Sequence, residues 1–221
     1  MAEIVAFHFD PLCPWCYLTS RWAVRLEQLG AVELEWRVFS LEVVNLPDGE
    51  DPRRLEARSG PALRTAILVR DDEGPAGVGR FYTALGALVW EQVPPERHGP
   101  ETVRSALRAS GIDPDLCDKA LADPGTWEAV LEEHQALVER TRSFGVPTIV
   151  LDGGTGPAIF GPVVSTVPGD EEALALWHHV SWLARDPNFS ELKRDRTAPP
   201  DLPAAAWLAA ERERRAAAGS G

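Results

Sequence analysis

Two cysteines, Cys13 and Cys16, flank Pro14 and Trp15 at the point where an apolar, strand-like run gives way to a helical pattern. A thiol at a helix N-terminus faces unpaired N–H groups and the positive end of the helix dipole, which favour its thiolate. Cys13 holds that position and is the expected nucleophile. Two intervening residues put Cys16 on the first helical turn, deeper in the fold and close enough to attack a mixed disulfide on Cys13. Pro14 fits the first helical position, where a missing N–H removes nothing. The expected chemistry is therefore thiol–disulfide exchange. The same spacing also serves zinc, but zinc needs two further ligands. Cys117, His8, His98, His134, His178 and His179 supply no second clustered pair, so no metal is expected.

The elements that must position this dithiol are legible on either side. Ile4–Phe9 is β-rich and ends at Asp10-Pro11, as a buried strand would. Trp15, Leu18, Trp22, Leu26 and Leu29 recur at helical steps until Gly30 stops the run. Val32–Val38 alternates apolar and charged residues, which completes a βαβ unit. After the turn chemistry of 45–49 the pattern is helical, with helices expected at about 52–71, 79–92, 100–110, 114–122 and 126–142. Val146–Leu151 and Ala158–Phe160 form a hairpin about Gly153-Gly154, and a helix follows over 170–184. The charged, proline-punctuated remainder carries a last helix over 207–218 and frays at Gly219-Ser220-Gly221.

This order specifies an α/β protein with a thioredoxin-like fold, in which a helical domain is inserted between the βαβ unit and the hairpin. The expected divisions are 1–45 and 144–200 for the thioredoxin-like part, 46–143 for the insertion, and 201–221 for a tail. A second feature agrees with the dithiol. Gly145-Val146-Pro147-Thr148 opens the strand after the insertion, where a thioredoxin-like fold places a proline opposite the cysteines. If Val146–Pro147 is cis, Val146 can present its backbone to an entering thiol or peptide. A trans proline opening an edge strand is the alternative.

Composition narrows the partners. With 34 acidic and 22 basic residues the net charge is -12, a field that repels phosphate backbones and anionic lipid. Neither nucleic acid nor membrane is an expected partner. Three cysteines cannot build the disulfide framework of a secreted domain, and residues 1–4 lack a basic leader, so a cytoplasmic location is expected. Cys117 is expected to be a small helix residue, His134 a core histidine, and the run 211–215 a solvated charged face.

The segment Phe9-Asp10-Pro11-Leu12-Cys13-Pro14-Trp15-Cys16-Tyr17 resembles the DsbA-like thioredoxin superfamily, and more narrowly the mycothiol-dependent nitroreductase group of actinobacteria. Further matches run in order along the chain. They are Thr19–Trp22, Leu41–Asn45, Phe81–Gly86, Gly145–Ile149, Phe160–Val163, Glu191–Arg194, Arg196-Thr197 and Pro199-Pro200. The resemblance implies an enzyme that takes electrons from mycothiol and reduces nitro compounds or disulfides. It assigns Cys13 as attacking thiol, Cys16 as resolving thiol and Pro147 as the cis-proline, with Trp15 and Thr148 beside the entering thiol.

Asn45 is then either a contact to that thiol or an ordinary turn residue. Trp15 is either an active-site tryptophan or an extension of the core stripe. Its uncharged side chain implies a Cys13 less acidic than the ~3.5 of strongly oxidising relatives and nearer the ~7 of thioredoxin. Phe7 stands where many thioredoxins carry a buried acid, and Asp10, the nearest acid, reads as a turn former. His8 replaces an aromatic residue of the nitroreductase group, and either tunes the dithiol or is a hydrogen-bonded strand histidine. Residues 53–60 lack the aromatic residues expected in a substrate pocket. Two other classes share the architecture: a kappa-type thiol-dependent isomerase or transferase, which usually lacks the second cysteine, and a DsbA-like protein disulfide oxidoreductase or chaperone.

Overall fold

The computed structural model of the chain describes residues 2–218. Four strands form one sheet in the order β2-β1-β3-β4. β1 (Glu3–Phe9) pairs in parallel with β2 (Val32–Val38), with Phe7 opposite Trp36 and His8 opposite Arg37. β3 (Thr148–Val150) lies antiparallel to β1, with His8 opposite Thr148, and β4 (Ala158–Phe160) returns antiparallel to β3. Covered on both faces, β1 is buried continuously from Val5 to Phe9 and so reads as an apolar run interrupted only by His8. β2, at the sheet edge, instead buries alternate residues.

Helix α1 (Pro14–Gln28) crosses between β1 and β2 and buries Cys16, Leu18, Trp22 and Leu26. Gly30, at φ 71°, ends it in the left-handed conformation that a helix C-terminus needs, one residue beyond the Leu29 cap. A short α2 (Leu41–Val44) follows β2, and Asn45 caps its C-terminus.

The segment between α2 and β3 departs from expectation in its first half. Pro52–Arg54 is a single 3-10 turn, and the helix expected from 52 begins only at Gly60. From there α3 (Gly60–Gly86) runs through the expected gap at 72–78 and passes into a π-helical turn at Ala87–Glu91. Its axis breaks once, at Gly74 (φ 69°, ψ -173°). Pro75 disfavours an α conformation in the residue before it, and glycine alone meets the resulting geometry cheaply. Apolar residues are buried on both sides of this break, Leu63, Ile67 and Val69 before it and Val78, Phe81 and Leu85 after it. α3 packs on β2 and on α4 (Pro100–Ala109), α5 (Asp115–Ala122) and α6 (Pro124–Thr141).

β3 is shorter than expected because Val146 and Pro147 lie before the paired residues. Leu151–Gly154 is a tight turn, with Asp152 and Gly153 at positive φ. A helix spans Asp170–Arg185, and the C-terminal helix spans Pro203–Ala218, starting four residues before the expected Trp207. The expected fraying of residues 219–221 lies outside the described residues. The interior is a continuous cluster that joins sheet and helical insertion, with Tyr17, Trp22, Trp36, Phe39, Phe81 and Tyr82 fully buried. Among the described residues no helix is long and apolar enough to cross a membrane.

Candidate active site

The loop between β1 and α1 brings the two cysteines to the C-terminal edge of the central strand. Cys13 is the N-cap of α1, and its sulfur accepts the Cys16 backbone N–H at 3.3 Å, as the capping oxygen of a serine would elsewhere. On its other side the thiol donates to the Val146 carbonyl at 3.7 Å. The Val146–Pro147 peptide is cis, as is Gly161–Pro162 in the adjoining loop, where the Pro162 carbonyl accepts from Thr19 Oγ1 at 2.9 Å. Cys13, Pro14 and Trp15 are half-buried, whereas Cys16 is sealed and its thiol donates to the His8 carbonyl at 3.8 Å. All three cysteines of the chain are free thiols, and Cys117 donates to the Pro100 carbonyl away from this site.

The electrostatics separate the two sulfurs. Burial pushes the Cys13 thiol above its ordinary value, although the N–H groups of Cys16 and Trp15 and the charge of Arg196 pull it back. The helix N-terminus therefore does not bring Cys13 down toward 7, because the half-closed loop withholds water from the thiolate. Burial raises Cys16 much further, with the charge of Cys13 adding to it. Of the pair, Cys13 is the more readily ionised.

Asp10 has a larger part than a turn former. Its carboxylate accepts the Leu12 N–H at 2.8 Å, the Leu41 N–H at 2.7 Å and the Ser59 hydroxyl at 3.3 Å, so it ties the dithiol loop to α2 and to the start of α3. Complete burial, reinforced by Glu42, lifts it to about 7 despite those three donors. It acts electrostatically on both cysteines. A buried acid thus stands beside the dithiol even though Phe7 occupies the usual position. Two of its three donors, Ser59 and Leu41, are remote in sequence.

The other predicted positions divide. Trp15 is half-buried under the exposed Arg196 guanidinium, 5.1 Å above its ring. Thr148 is buried, and its hydroxyl donates to the Gly145 carbonyl at 2.8 Å and meets Ser143 Oγ at 3.0 Å, so its polar group is directed into the fold. Asn45 is exposed and donates to the Leu41 carbonyl at 2.6 Å, which makes it a helix cap. His8 is neutral, since burial lowers it to about 3, and its Nδ1 has no hydrogen-bond partner among the described residues. Its carbonyl accepts from the Cys16 thiol. His134 lies in the core, where Nδ1 accepts the Ser40 N–H.

Two further groups were not among the expected site residues, although Tyr17 and Phe160 fall within the family-like segments. Phe144, 68 % exposed, and Phe160 pair at 4.6 Å beside the cis-proline loop, with Phe160 and Leu41 flanking Gly145. From the insertion, Trp90 donates to the Pro11 carbonyl at 3.1 Å, and the Tyr17 hydroxyl meets Glu91 at 2.6 Å. No cluster of three metal-ligating side chains occurs among the described residues.

Several solved structures share this architecture. The cytosolic disulfide reductase DsbM from Pseudomonas aeruginosa is 15 % identical, with a TM-score of 0.56 over 81 % of this chain and 99 % of that one. The thiol-disulfide exchange protein α-DsbA2 from Wolbachia pipientis is 15 % identical, with a TM-score of 0.53 over 82 % and 81 %. A 2-hydroxychromene-2-carboxylate isomerase is 20 % identical, with a TM-score of 0.55 over 82 % and 96 %. These likenesses establish a DsbA-like thioredoxin fold. By sequence, the uncharacterized protein Rv2286c of Mycobacterium tuberculosis is 35 % identical over 201 residues, which cover 87 % of this chain and 82 % of that protein. The sequence pattern of the Rv2466c-like family, described as mycothiol-dependent nitroreductase Rv2466c, matches residues 12–194, from just before the dithiol to beyond the helix Asp170–Arg185, and the chain belongs to that family.

Proposed function

We propose that the protein is a cytoplasmic thiol–disulfide oxidoreductase that cycles a Cys13/Cys16 dithiol, with mycothiol as reductant and small disulfides or nitro compounds as acceptors. The observation that carries this is the pairing of a half-buried, N-capping Cys13 with a sealed Cys16 one helical turn away, opposite the Val146 carbonyl. Cys13 as thiolate attacks one sulfur of a disulfide; that S–S bond breaks, and the departing thiolate takes a proton. Cys16 then loses its proton and attacks the Cys13 sulfur, which forms the intramolecular disulfide and releases the second thiol. Two mycothiol molecules reverse the exchange, becoming oxidised themselves. A nitro acceptor would draw the same two electrons and two protons per turn.

Pro14 and Pro147, which flank the dithiol in the sequence and across the cis-peptide loop, bring no side-chain donor of their own to it. Val146 offers its backbone to the entering thiol, while Trp15 and the Phe144/Phe160 pair supply flat apolar surface for an aromatic acceptor. Asn45 and Thr148 serve this site through the backbone they hold.

The test is turnover of a nitro-aromatic and of a small disulfide in a mycothiol-recycling assay. Cys13→Ser should abolish it, and Cys16→Ser should stall as a mixed disulfide detectable by mass. Cys13→Ser activity equal to wild type would sink the mechanism. Thiol trapping separates this cycle from a kappa-type isomerase, which would form no Cys13–Cys16 disulfide.

A further inference from the structure

Tyr82 lies in α3 within Phe81-Tyr82-Thr83-Ala84-Leu85-Gly86, a segment with no part in the cycle so far. Its ring stacks on Phe9 at 4.2 Å and meets the edges of Tyr17 at 6.0 Å and Trp36 at 5.8 Å. Phe9 directly precedes Asp10 and Tyr17 directly follows Cys16, so residues bracketing the dithiol loop hold the ring. Tyr82 is wholly buried, and its hydroxyl has no hydrogen-bond partner of normal geometry among the described residues. Phenylalanine would fill the same space without that penalty, as it does at the buried Phe7, Phe9, Phe39 and Phe81 of the same core. Of the groups that act electrostatically on this hydroxyl, Cys16 acts most strongly, followed by Cys13 and Arg21.

We propose that the Tyr82 hydroxyl is the hydrogen-bond donor that receives the Cys16 thiolate in the resolving step. This rests on the dithiol cycle above. In the reduced state the Cys16 thiol donates to the His8 carbonyl. Once the proton leaves, that carbonyl faces a negative sulfur, and the groups able to stabilise it are the Asp10 backbone N–H and the Tyr82 O–H. Burial and the two sulfurs hold the phenol well above its ordinary value, so it stays protonated and donates without giving up its proton. The charged and titratable groups acting on this pair are Cys13, Asp10 and, from α1, Arg21. The proton of Cys16 leaves with the departing small thiol, and the S–S bond to Cys13 forms as the bond to that thiol breaks. No further oxidant or reductant enters.

The experiment loads Cys13 with mycothiol and follows its release by rapid quench and mass analysis. Tyr82→Phe should slow resolution by about three- to tenfold, because the loss of thiolate is partly offset by the greater nucleophilicity of a more basic sulfur. It should leave the rate of mixed-disulfide formation unchanged and the melting temperature unchanged or higher. In the Cys13→Ser background, Tyr82→Phe should move the Cys16 thiolate absorbance to higher pH. Site-specific 3-fluorotyrosine at position 82, a more acidic donor of nearly the same volume, should move it lower, and decides the matter if Tyr82→Phe does not fold. An unchanged resolving rate and an unmoved Cys16 profile would overturn the Tyr82 role while leaving the cycle intact. A wild-type chain that never forms the Cys13–Cys16 disulfide would overturn both.

Discussion

Cys13 is subject to two opposing effects, burial that disfavours its thiolate and a capping N–H with Arg196 that favours it. The exposed Arg196 contributes through solvent, where such charges are screened. Arg196→Ala should therefore slow Cys13 alkylation at pH 7 by about two- to fivefold, with Arg196→Lys close to wild type and the difference fading in high salt. Alkylation that does not depend on position 196 would show that the guanidinium only covers Trp15. The dithiol and the cis-proline were legible because a cysteine pair at a strand–helix junction and a proline opening a strand are rare and local. Asp10 was not, since an Asp-Pro pair ordinarily signals a turn, and the Ser59 and Leu41 groups that bond it come from elements remote in sequence. Tyr82 was visible only as a family match, because an aromatic residue on a helical stripe looks like core.

Element by element, the periodic helices α1, α4, α5 and α6 followed their apolar spacing, whereas α3 did not, because Gly74-Pro75 reads as a stop. Tertiary packing on β2 and on the neighbouring helices carries the chain through the break. This joins Tyr82, Trp90 and Glu91 to Ser59 on one continuous scaffold beside the dithiol. The close approach of α3 to α1 leads to a second prediction. A Cβ at Gly86 would lie 1.9 Å from the Tyr17 ring, and the ring is pinned by Glu91 and by Arg21 at 4.9 Å. Gly86→Ala should destabilise the protein by about 1–3 kcal/mol despite its better helix propensity, read as a lower urea midpoint. Because Tyr17 adjoins Cys16, it should also accelerate Cys16 alkylation in the folded state. A neutral or stabilising Gly86→Ala would mean that the two helices separate at no cost.

Across the whole molecule, the buried titratable groups set opposing pH dependences. Burial lowers His8 to about 3, and His98 and His134 to about 4, from the usual 6.5. Each is neutral in the fold, so the stability it permits is complete above pH 6.5 and is lost as pH falls through the window below. Asp10 runs the other way. Raised from 3.8 to about 7, it binds a proton in the folded chain that the unfolded chain has released, so stability falls as pH rises from about 4 to 7. That rise of about three pH units corresponds to about 4 kcal/mol at most, at about 1.4 kcal/mol per unit. Three histidines against one aspartate predict a wild-type urea midpoint that climbs from pH 4.5 to 6.5 and then levels. Asp10→Asn removes the opposing group. It loses one acceptor for the Leu12 and Leu41 N–H groups and should be the less stable chain at pH 4.5, where wild-type Asp10 is protonated. By pH 8, where wild type must hold a buried carboxylate, the gap should close or reverse, shifting by up to about 4 kcal/mol in favour of the variant. A gap that stays constant from pH 4.5 to 8 would show that Asp10 ionises at its ordinary value, and that the loop admits the water this geometry excludes.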